Sequence, residues 1–170
     1  MTAHKKPQDY LRQGRNDRRI EEHIHDPYKP RKKLPEPSVC TGCGAVWDKG
    51  RWTWGEAPEG AHETLCPACQ RIRDKVPAAF VVLRGDYLTK HRDEILHQIR
   101  NIEAAEKAEH PVNRIMNLEE KDDGSIEITT TDSHLARVLG EKIHAAHKGE
   151  VNFEYTKGED MLRVYWERNL

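Results

Sequence analysis

Apolar residues recur with a regular period mainly in the second half of the chain, from Pro77 to Leu170. The continuous apolar run Ala79–Leu83 is typical of a central strand that is buried on both faces. Behind it, apolar residues fall three, four or seven apart, which predicts one helix over residues 88–109 that ends before Pro111. The members of this stripe are Leu88, Ile95, Ile99 and Ile102.

Two hairpins and a second helix are predicted after Pro111. Strands over residues 114–120 and 125–130 flank the turn at Asp122-Asp123-Gly124, and Thr131 or Asp132 is placed to cap the helix that follows. Gly149 stands where a left-handed residue ends that helix, and the strands over 151–155 and 161–168 are joined by residues 157–160. The predicted buried face of the helix consists of Leu135, Val138, Leu139, Ile143 and Ala146.

These elements predict an α+β domain over residues 77–170 with the order β-α-β-β-α-β-β, which is a split-βαβ (ferredoxin-like) arrangement with one extra strand. Both helices of such a fold cover one face of the sheet and leave the other open. The residues expected on the open face include Glu127, Thr129, Asn152, Glu154, Arg163 and Tyr165. With one aromatic among them, we expect this face to contact protein or solvent rather than stack on single-stranded RNA.

The first 38 residues lack such a period. Four prolines from Pro27 to Pro37 favour extended backbone, and 10 Lys/Arg stand against 6 Asp/Glu, so we expect a basic, disordered tail. Residues 77–170 carry 13 Lys/Arg against 18 Asp/Glu, which makes the body acidic and the formal net charge of the chain −1. A polyanion should therefore meet the tail first. No apolar run reaches the length of a membrane span and the N-terminus lacks an export signal, so we expect no membrane contact and a cytoplasmic location.

Residues 39–76 contain all four cysteines, as Cys40-Thr41-Gly42-Cys43-Gly44 and Cys66-Pro67-Ala68-Cys69. The 22 residues between Cys43 and Cys66 include a predicted hairpin, Val46 to Trp54, that turns at Gly50 and brings the two pairs together. Reduced thiols at this spacing indicate a metal-binding ribbon more strongly than disulfides, which would close very short loops. Four thiolates suit zinc or iron, and the two turns also look like rubredoxin knuckles, although Gln70 stands where a rubredoxin has glycine. We expect one structural Zn²⁺, because four protein ligands leave no position for substrate.

Several cations and one tryptophan are candidates for nucleic-acid contact. Arg51, Arg71 and Arg73 belong to the ribbon, and of its three tryptophans we expect Trp52 or Trp47 to form the small core and Trp54 to remain a candidate for base stacking. The tail supplies the other candidates, Arg12, Arg15, Arg18, Arg19, Lys29, Arg31, Lys32 and Lys33.

The sequence contains no constellation that predicts an enzyme. Asp132-Ser133-His134 are adjacent residues and cannot form the hydrogen-bond chain of a catalytic triad, and no phosphate-binding glycine loop is present. His144 and His147 lie one helical turn apart, but no third ligand is evident, so we interpret them as solvated helix positions.

The region from Cys40 to Leu170 resembles the N-terminal part of the large-ribosomal-subunit export adaptors, the family named after nonsense-mediated mRNA decay protein three, and its small bacterial relatives. The resemblance rests on the two cysteine pairs, on Asp123 to Ile128 and on Asp132 to Ala136. It implies a zinc-bearing factor that docks on the large subunit. Family members usually carry more zinc knuckles, and the longer ones carry export signals that 170 residues cannot hold.

The leading hypothesis is a non-enzymatic zinc-binding adaptor that binds rRNA or the large ribosomal subunit. The 77–170 domain is a candidate surface for a protein partner. The first alternative is a protein–protein interaction module with a structural zinc ribbon. The second is a rubredoxin-like iron redox carrier.

Overall fold

The computed structural model describes residues 27–28, 32–156 and 161–170. Nine strands and four helices lie in these ranges, and the strands form two sheets, so the predicted α+β class is confirmed. Most of the predicted tail lies outside the described residues, including Arg12, Arg15, Arg18, Arg19, Lys29 and Arg31. No helix in the described ranges is both long and apolar enough to cross a bilayer.

The cysteine block folds as a four-stranded sheet followed by one helix. The sheet order is β3-β2-β1-β4, with β1 parallel to β4 and the other pairs antiparallel. The predicted hairpin joins β2 to β3, and both turn residues, Lys49 (φ 52°) and Gly50 (φ 77°), are left-handed as a tight two-residue turn requires. The elements are β1 (Ser38–Cys40), β2 (Val46–Asp48), β3 (Arg51–Thr53), β4 (His62–Thr64) and α1 (Pro67–Asp74).

The larger unit is a five-stranded sheet with helices on one face. Its strand order is β6-β7-β5-β9-β8, in which only the central pair β5 and β9 is parallel. The elements are β5 (Ala79–Arg84), α2 (Asp86–Lys90), α3 (Arg92–Glu109), β6 (Ile115–Glu120), β7 (Ile126–Thr130), α4 (Ser133–His147), β8 (Glu150–Thr156) and β9 (Met161–Glu167).

The sheet does not have the simple ferredoxin-like strand order. The long elements follow each other along the chain as predicted, but the strand after α4, β8, lies at the edge, and the last strand, β9, takes the place beside β5. The side chains explain this exchange. Leu162, Val164 and Trp166 of β9 are all buried, whereas β8 alternates with exposed residues and suits an edge.

The core lies between one sheet face and helices α3 and α4. Val81 and Leu83 of β5 are fully buried in it, but Phe80 and Val82 on the opposite face are only half-buried. The prediction that β5 is buried on both faces is therefore wrong, because helices cover one face only. Within the described chain, the core centres on the fully buried residues Leu88, Ile95, Ile99, Ile126, Ile128, Leu135, Leu139 and Ile143.

Three helix details refine the sequence analysis. The helix expected over 88–109 is two helices that meet at His91, whose ring stacks on Tyr87 with centroids 4.1 Å apart. Asp132 is the cap of α4, since its carboxylate accepts the N–H of Leu135 at 3.2 Å. Ala146 is exposed and His147 is buried in its place, which corrects two assignments on that helix.

Candidate metal centre

The first cysteine pair is presented by the turn that leaves β1. The carbonyl of Cys40 accepts the N–H of Gly44 at 2.9 Å, and Gly44 has a φ of 81° that favours glycine. Gly42 is required for a different reason. A Cβ at this position would lie 2.9 Å from Cys69 Sγ and 3.1 Å from Leu65, so no larger residue fits beside the sulfur cluster without displacement.

The second pair is presented by the start of α1. Cys66 is the N-cap of this helix, and its sulfur accepts the N–H of Cys69 at 3.4 Å. Pro67 occupies the first helical turn, where its missing donor has no cost. The helix begins directly after Cys66, so its first turn fixes Cys66 and Cys69 on one side.

The four sulfur atoms meet in one place. All Sγ atoms of Cys40, Cys43, Cys66 and Cys69 lie within 4.8 Å of one another, and Cys43 Sγ is 3.8 Å from Cys66 Sγ. A tetrahedron with metal–sulfur bonds of about 2.3 Å has edges of roughly 3.8 Å, so this donor set fits Zn²⁺ or another tetrahedral thiophilic ion. None of the four cysteines forms a disulfide.

Burial raises the pKa of thiols in this cluster, whereas hydrogen bonds from backbone N–H groups lower it. Burial raises the pKa of Cys43 and of Cys66, the most enclosed of the four. Burial alone would also raise the pKa of Cys40, but the N–H groups of Cys66, Cys43 and Gly42 favour its thiolate and lower the pKa to about 6. One of these donors, Cys66 N–H, lies 3.2 Å from Cys40 Sγ. A cation that binds here therefore finds one thiolate already stabilised by fixed donors.

One residue of the larger unit, an arginine, contacts two of the sulfur atoms directly. Arg114, which directly precedes β6, donates from Nη2 to Cys66 Sγ at 3.1 Å and to Cys69 Sγ at 3.2 Å. Burial would lower the pKa of Arg114, but its hydrogen bond to Cys69 and the nearby cysteine charges raise it, so the guanidinium remains charged. Four thiolates and one divalent ion carry a net charge of −2, which this cation offsets in part. The sequence analysis missed Arg114, because it lies 45 residues or more from these cysteines in the chain.

The ribbon and the larger unit touch at further points around Arg114. The indole N–H of Trp54 donates to the carbonyl of Lys107 near the end of α3 at 2.6 Å. Val112 packs against the apolar cluster of the ribbon, which contains Ala45, Trp52 and Ala68 beside the cysteines. The candidate metal centre thus lies at the junction of the two units.

The three tryptophans of the ribbon divide as expected. Trp52 is buried, and Trp47 is half-buried against it with ring centroids 5.6 Å apart. Trp54 is 40% exposed.

The predicted cations of the ribbon and of the adjoining end of the tail have different environments. Arg51 is exposed on β3, and Lys32 and Lys33 are exposed before β1. Arg71 is 5% exposed, donates to the carbonyl of Val76 at 3.0 Å and lies over the ring of Tyr28. Its position is that of a structural residue. Arg73 is exposed but paired with Asp74 at 2.8 Å.

His144 and His147 of α4 do not share a metal position. The ring nitrogens of His147 lie 3.0 Å from the Tyr87 hydroxyl and 2.8 Å from Gln98 Oε1, so both are engaged in the packing of α4 against the preceding helices. The interpretation of His147 as solvated is wrong, because the residue is only 4% exposed.

A scan of protein-family models, a search of curated proteins and a search of solved structures each found no match to this chain.

Proposed function

We propose that this chain is a non-enzymatic zinc-binding adaptor that binds RNA through its ribbon, with rRNA in the large ribosomal subunit as the target. The family resemblance supplies the target. The observation that carries RNA binding is the exposed indole of Trp54, which is held in a fixed orientation by its bond to Lys107.

The metal has a structural role in this proposal. Four cysteines fill a tetrahedron, and none of its positions is left for water or substrate. A bound zinc ion supplies folding energy to a ribbon whose own apolar cluster is very small. Cys40, Cys43, Cys66 and Cys69 hold the ion, and Arg114 fixes the orientation of two of the sulfurs.

Trp54 is suited to stack on a base because the fold already orders its side chain, so stacking costs little further side-chain entropy. Its polar edge is bound to protein, and two fifths of the side chain faces solvent. Every base has a π-face, and stacking on an aromatic side chain contributes about 1–3 kcal/mol per base. Arg51 of the ribbon and Lys32 and Lys33 of the adjoining tail are exposed cations that can contact phosphate.

Trp54→Ala and Ile72→Ala form a matched pair for testing RNA binding, since Ile72 is 41% exposed on the same ribbon. Binding of a fluorescent single-stranded rRNA fragment should weaken between about five- and a hundredfold in Trp54→Ala. Ile72→Ala should bind as the wild type does. Equal affinity of Trp54→Ala and wild type would refute the stacking role.

The dependence of RNA affinity on salt concentration tests whether the chain contacts phosphate groups. If the tail and ribbon together neutralise about five phosphates, log affinity should fall against log salt with a slope of about −3.5 on a single strand. A salt-independent affinity would contradict this part of the proposal.

The ribosomal target is tested by sedimentation of the tagged chain in lysate through sucrose at low and high salt. Co-migration with the large subunit at low salt, lost at high salt, supports the assignment. Migration at the top of the gradient under both conditions would refute it.

An iron-bearing redox carrier is the alternative at the metal centre, since four thiolates also suit iron. Purified zinc protein is colourless, whereas ferric iron in four thiolates absorbs visible light. Elemental analysis of the reduced protein decides between them.

A further inference from the structure

The five-stranded sheet has one face that no described element covers. Helices α3 and α4 pack on the opposite face, and strand register places the remaining side chains outward. We call this the open face, and the part of it used here consists of Phe80, Val82, Glu119, Glu127, Glu150, Glu154, Arg163, Tyr165 and Glu167.

The centre of the open face is an apolar strip on the two central strands. Val82 of β5 lies opposite Tyr165 of β9, and Phe80 lies opposite Arg163 in the same register. The guanidinium of Arg163 sits 5.0 Å from the centroid of the Phe80 ring, so its stem extends the strip. All four side chains are half-buried. The strip is therefore a shallow apolar surface rather than a pocket.

The margins of the open face are acidic and contain like charges in register. Glu119 lies directly opposite Glu127 on one side, and Glu150 lies directly opposite Glu167 on the other. Like charges in facing positions destabilise a sheet. Glu119 is paired with Lys121 at 3.1 Å, but Glu127, Glu150, Glu154 and Glu167 form no ion pair with any residue in the described ranges. Two cations of the sheet share this face, since Arg84 lies opposite Glu167 and Arg163 lies opposite Glu154. The five glutamates still outnumber these two arginines, so the face keeps an excess of negative charge that a basic segment would offset.

We propose that the open face is a docking surface for a basic polypeptide segment of a partner protein. The apolar side chains of the segment would cover Phe80, Val82 and Tyr165, and its Lys or Arg side chains would reach the glutamates on both margins. Charge complementarity selects this occupant. Association with RNA or with the open face of a second copy would bring further negative charge against the same carboxylates.

A small-molecule ligand is a poorer match. The depression between Val82, Asn152 and Tyr165 holds only about 60 Å³, whereas ligand pockets usually span about 300–1,000 Å³. The surface is independent of Trp54 and the metal centre, so this proposal does not rest on RNA binding, and either one can fail alone.

The test is selection of random displayed peptides on the full zinc-loaded chain. The discriminating variant is Glu127→Gln/Glu150→Gln/Glu154→Gln, which removes three charges from the open face. Glu127 and Glu150 face other glutamates, and glutamine keeps the shape of each side chain, so the fold should remain intact. The matched control is Asp93→Asn/Glu109→Gln/Glu141→Gln, which removes three charges from exposed helix positions. A third variant, Tyr165→Thr, shortens the strip and keeps a residue suited to strands.

The proposal predicts that enriched peptides carry net positive charge with aliphatic or aromatic residues. A selected peptide, synthesised with a fluorescent label, should lose about tenfold or more in affinity for the glutamine variant and for Tyr165→Thr, and should keep its affinity for the control. Backbone amide shifts on binding should centre on β5 and β9.

Any of four results overturns the proposal. These are no enrichment, enriched peptides without positive charge, equal weakening in the control, or RNA-induced amide shifts on β5 and β9. Thermal unfolding of each variant, measured alongside, shows that the comparison is made between folded proteins.

Discussion

At the scale of single residues, close contact with sulfur decides what is allowed around the metal centre. Gly42 has an ordinary φ, so its importance lies in space rather than in backbone conformation: an added Cβ would lie 2.9 Å from Cys69 Sγ. Gly55 offers a control, because an added Cβ there meets nothing within 4 Å.

Gly42→Ala should therefore displace Cys69 and weaken zinc binding by about tenfold or more, in the range seen when residues that support metal ligands are changed. Gly55→Ala should bind zinc as the wild type does. Competition with a chromophoric chelator at fixed pH measures both affinities. Equal zinc affinities in the two variants would show that Cys69 Sγ can move to accommodate the added Cβ without weakening metal binding.

Arg114 is the second residue whose role is visible only through its contacts. A charged hydrogen-bond donor between two metal ligands stabilises their thiolates and fixes their orientation. Arg114→Met should lower zinc affinity by about 10- to 100-fold.

Arg100→Met is the matched control for Arg114, since Arg100 is a largely exposed arginine on α3. It should leave zinc affinity unchanged. Zinc release to a chelator, followed in both variants, measures the difference. Identical release rates would show that Arg114 does not stabilise the bound metal.

At the scale of elements, helix ends and helix packing carry most of the specific polar contacts. The cap of α4 is one such contact, because Asp132 satisfies the N–H of Leu135 and the neighbouring Ser133 is exposed without a capping role. Asp132→Ala should lower the free energy of unfolding by about 1 kcal/mol, and Ser133→Ala should change it little. Urea denaturation at pH 7 compares the two, and similar losses would mean that the carboxylate is not the effective cap.

The other end of α4 is held by a buried histidine. Burial lowers the pKa of His147 below its ordinary value of 6.5; His91 and Arg168 act in the same direction, and Glu94 opposes them. The folded chain thus keeps the ring neutral, while the unfolded chain takes up a proton below about pH 6.5. The stability that this neutral ring contributes is present above that pH and is lost as the pH falls towards the lowered value.

Amide exchange of α4 at pH 7.5 and 5.5 should show a smaller loss of protection in His147→Gln than in the wild type, once intrinsic exchange rates are corrected for pH. His97→Gln, which changes an exposed histidine of α3, should retain the full loss. The same pH response in all three proteins would exclude His147 as its source.

At the scale of the whole molecule, the two units differ in what stabilises them. The larger unit has a contiguous buried core from three helices and three strands, whereas the ribbon cluster has five buried residues, of which two are cysteines. Zinc removal should therefore unfold the ribbon and leave the larger unit folded.

Tryptophan fluorescence can follow that event, since Trp47, Trp52 and Trp54 lie in the ribbon and Trp166 lies in the larger core. A chelator should change the emission of the ribbon tryptophans, while near-complete amide protection persists in β5 and β9. Cooperative loss of both units on chelation would mean that the contacts of Arg114 and Trp54 bind them into one folding unit.

Short-range patterns of spacing and polarity in this sequence determined much of its structure. The spacing of the cysteine pairs, the hairpin at Gly50 and the apolar faces of α3 and most of α4 depend on neighbours within a few residues, and sequence alone identified them. For the cap of α4, the sequence narrowed the choice to Thr131 or Asp132, and the structure decided for Asp132. The prediction that Ala146 is buried and His147 is solvated was wrong. In the last turn of α4 the buried position is one residue further along the chain than the apolar pattern indicates.

Only the tertiary structure decided how these parts meet. It placed β9 rather than β8 beside β5, left Phe80 on an uncovered face, and brought Arg114 to the sulfur of Cys66, 48 residues away. The physical reason is the same in each case. Strand order, open faces and ligand surroundings depend on which distant surfaces bury the most apolar area and satisfy the most charge together, and no local period encodes that competition.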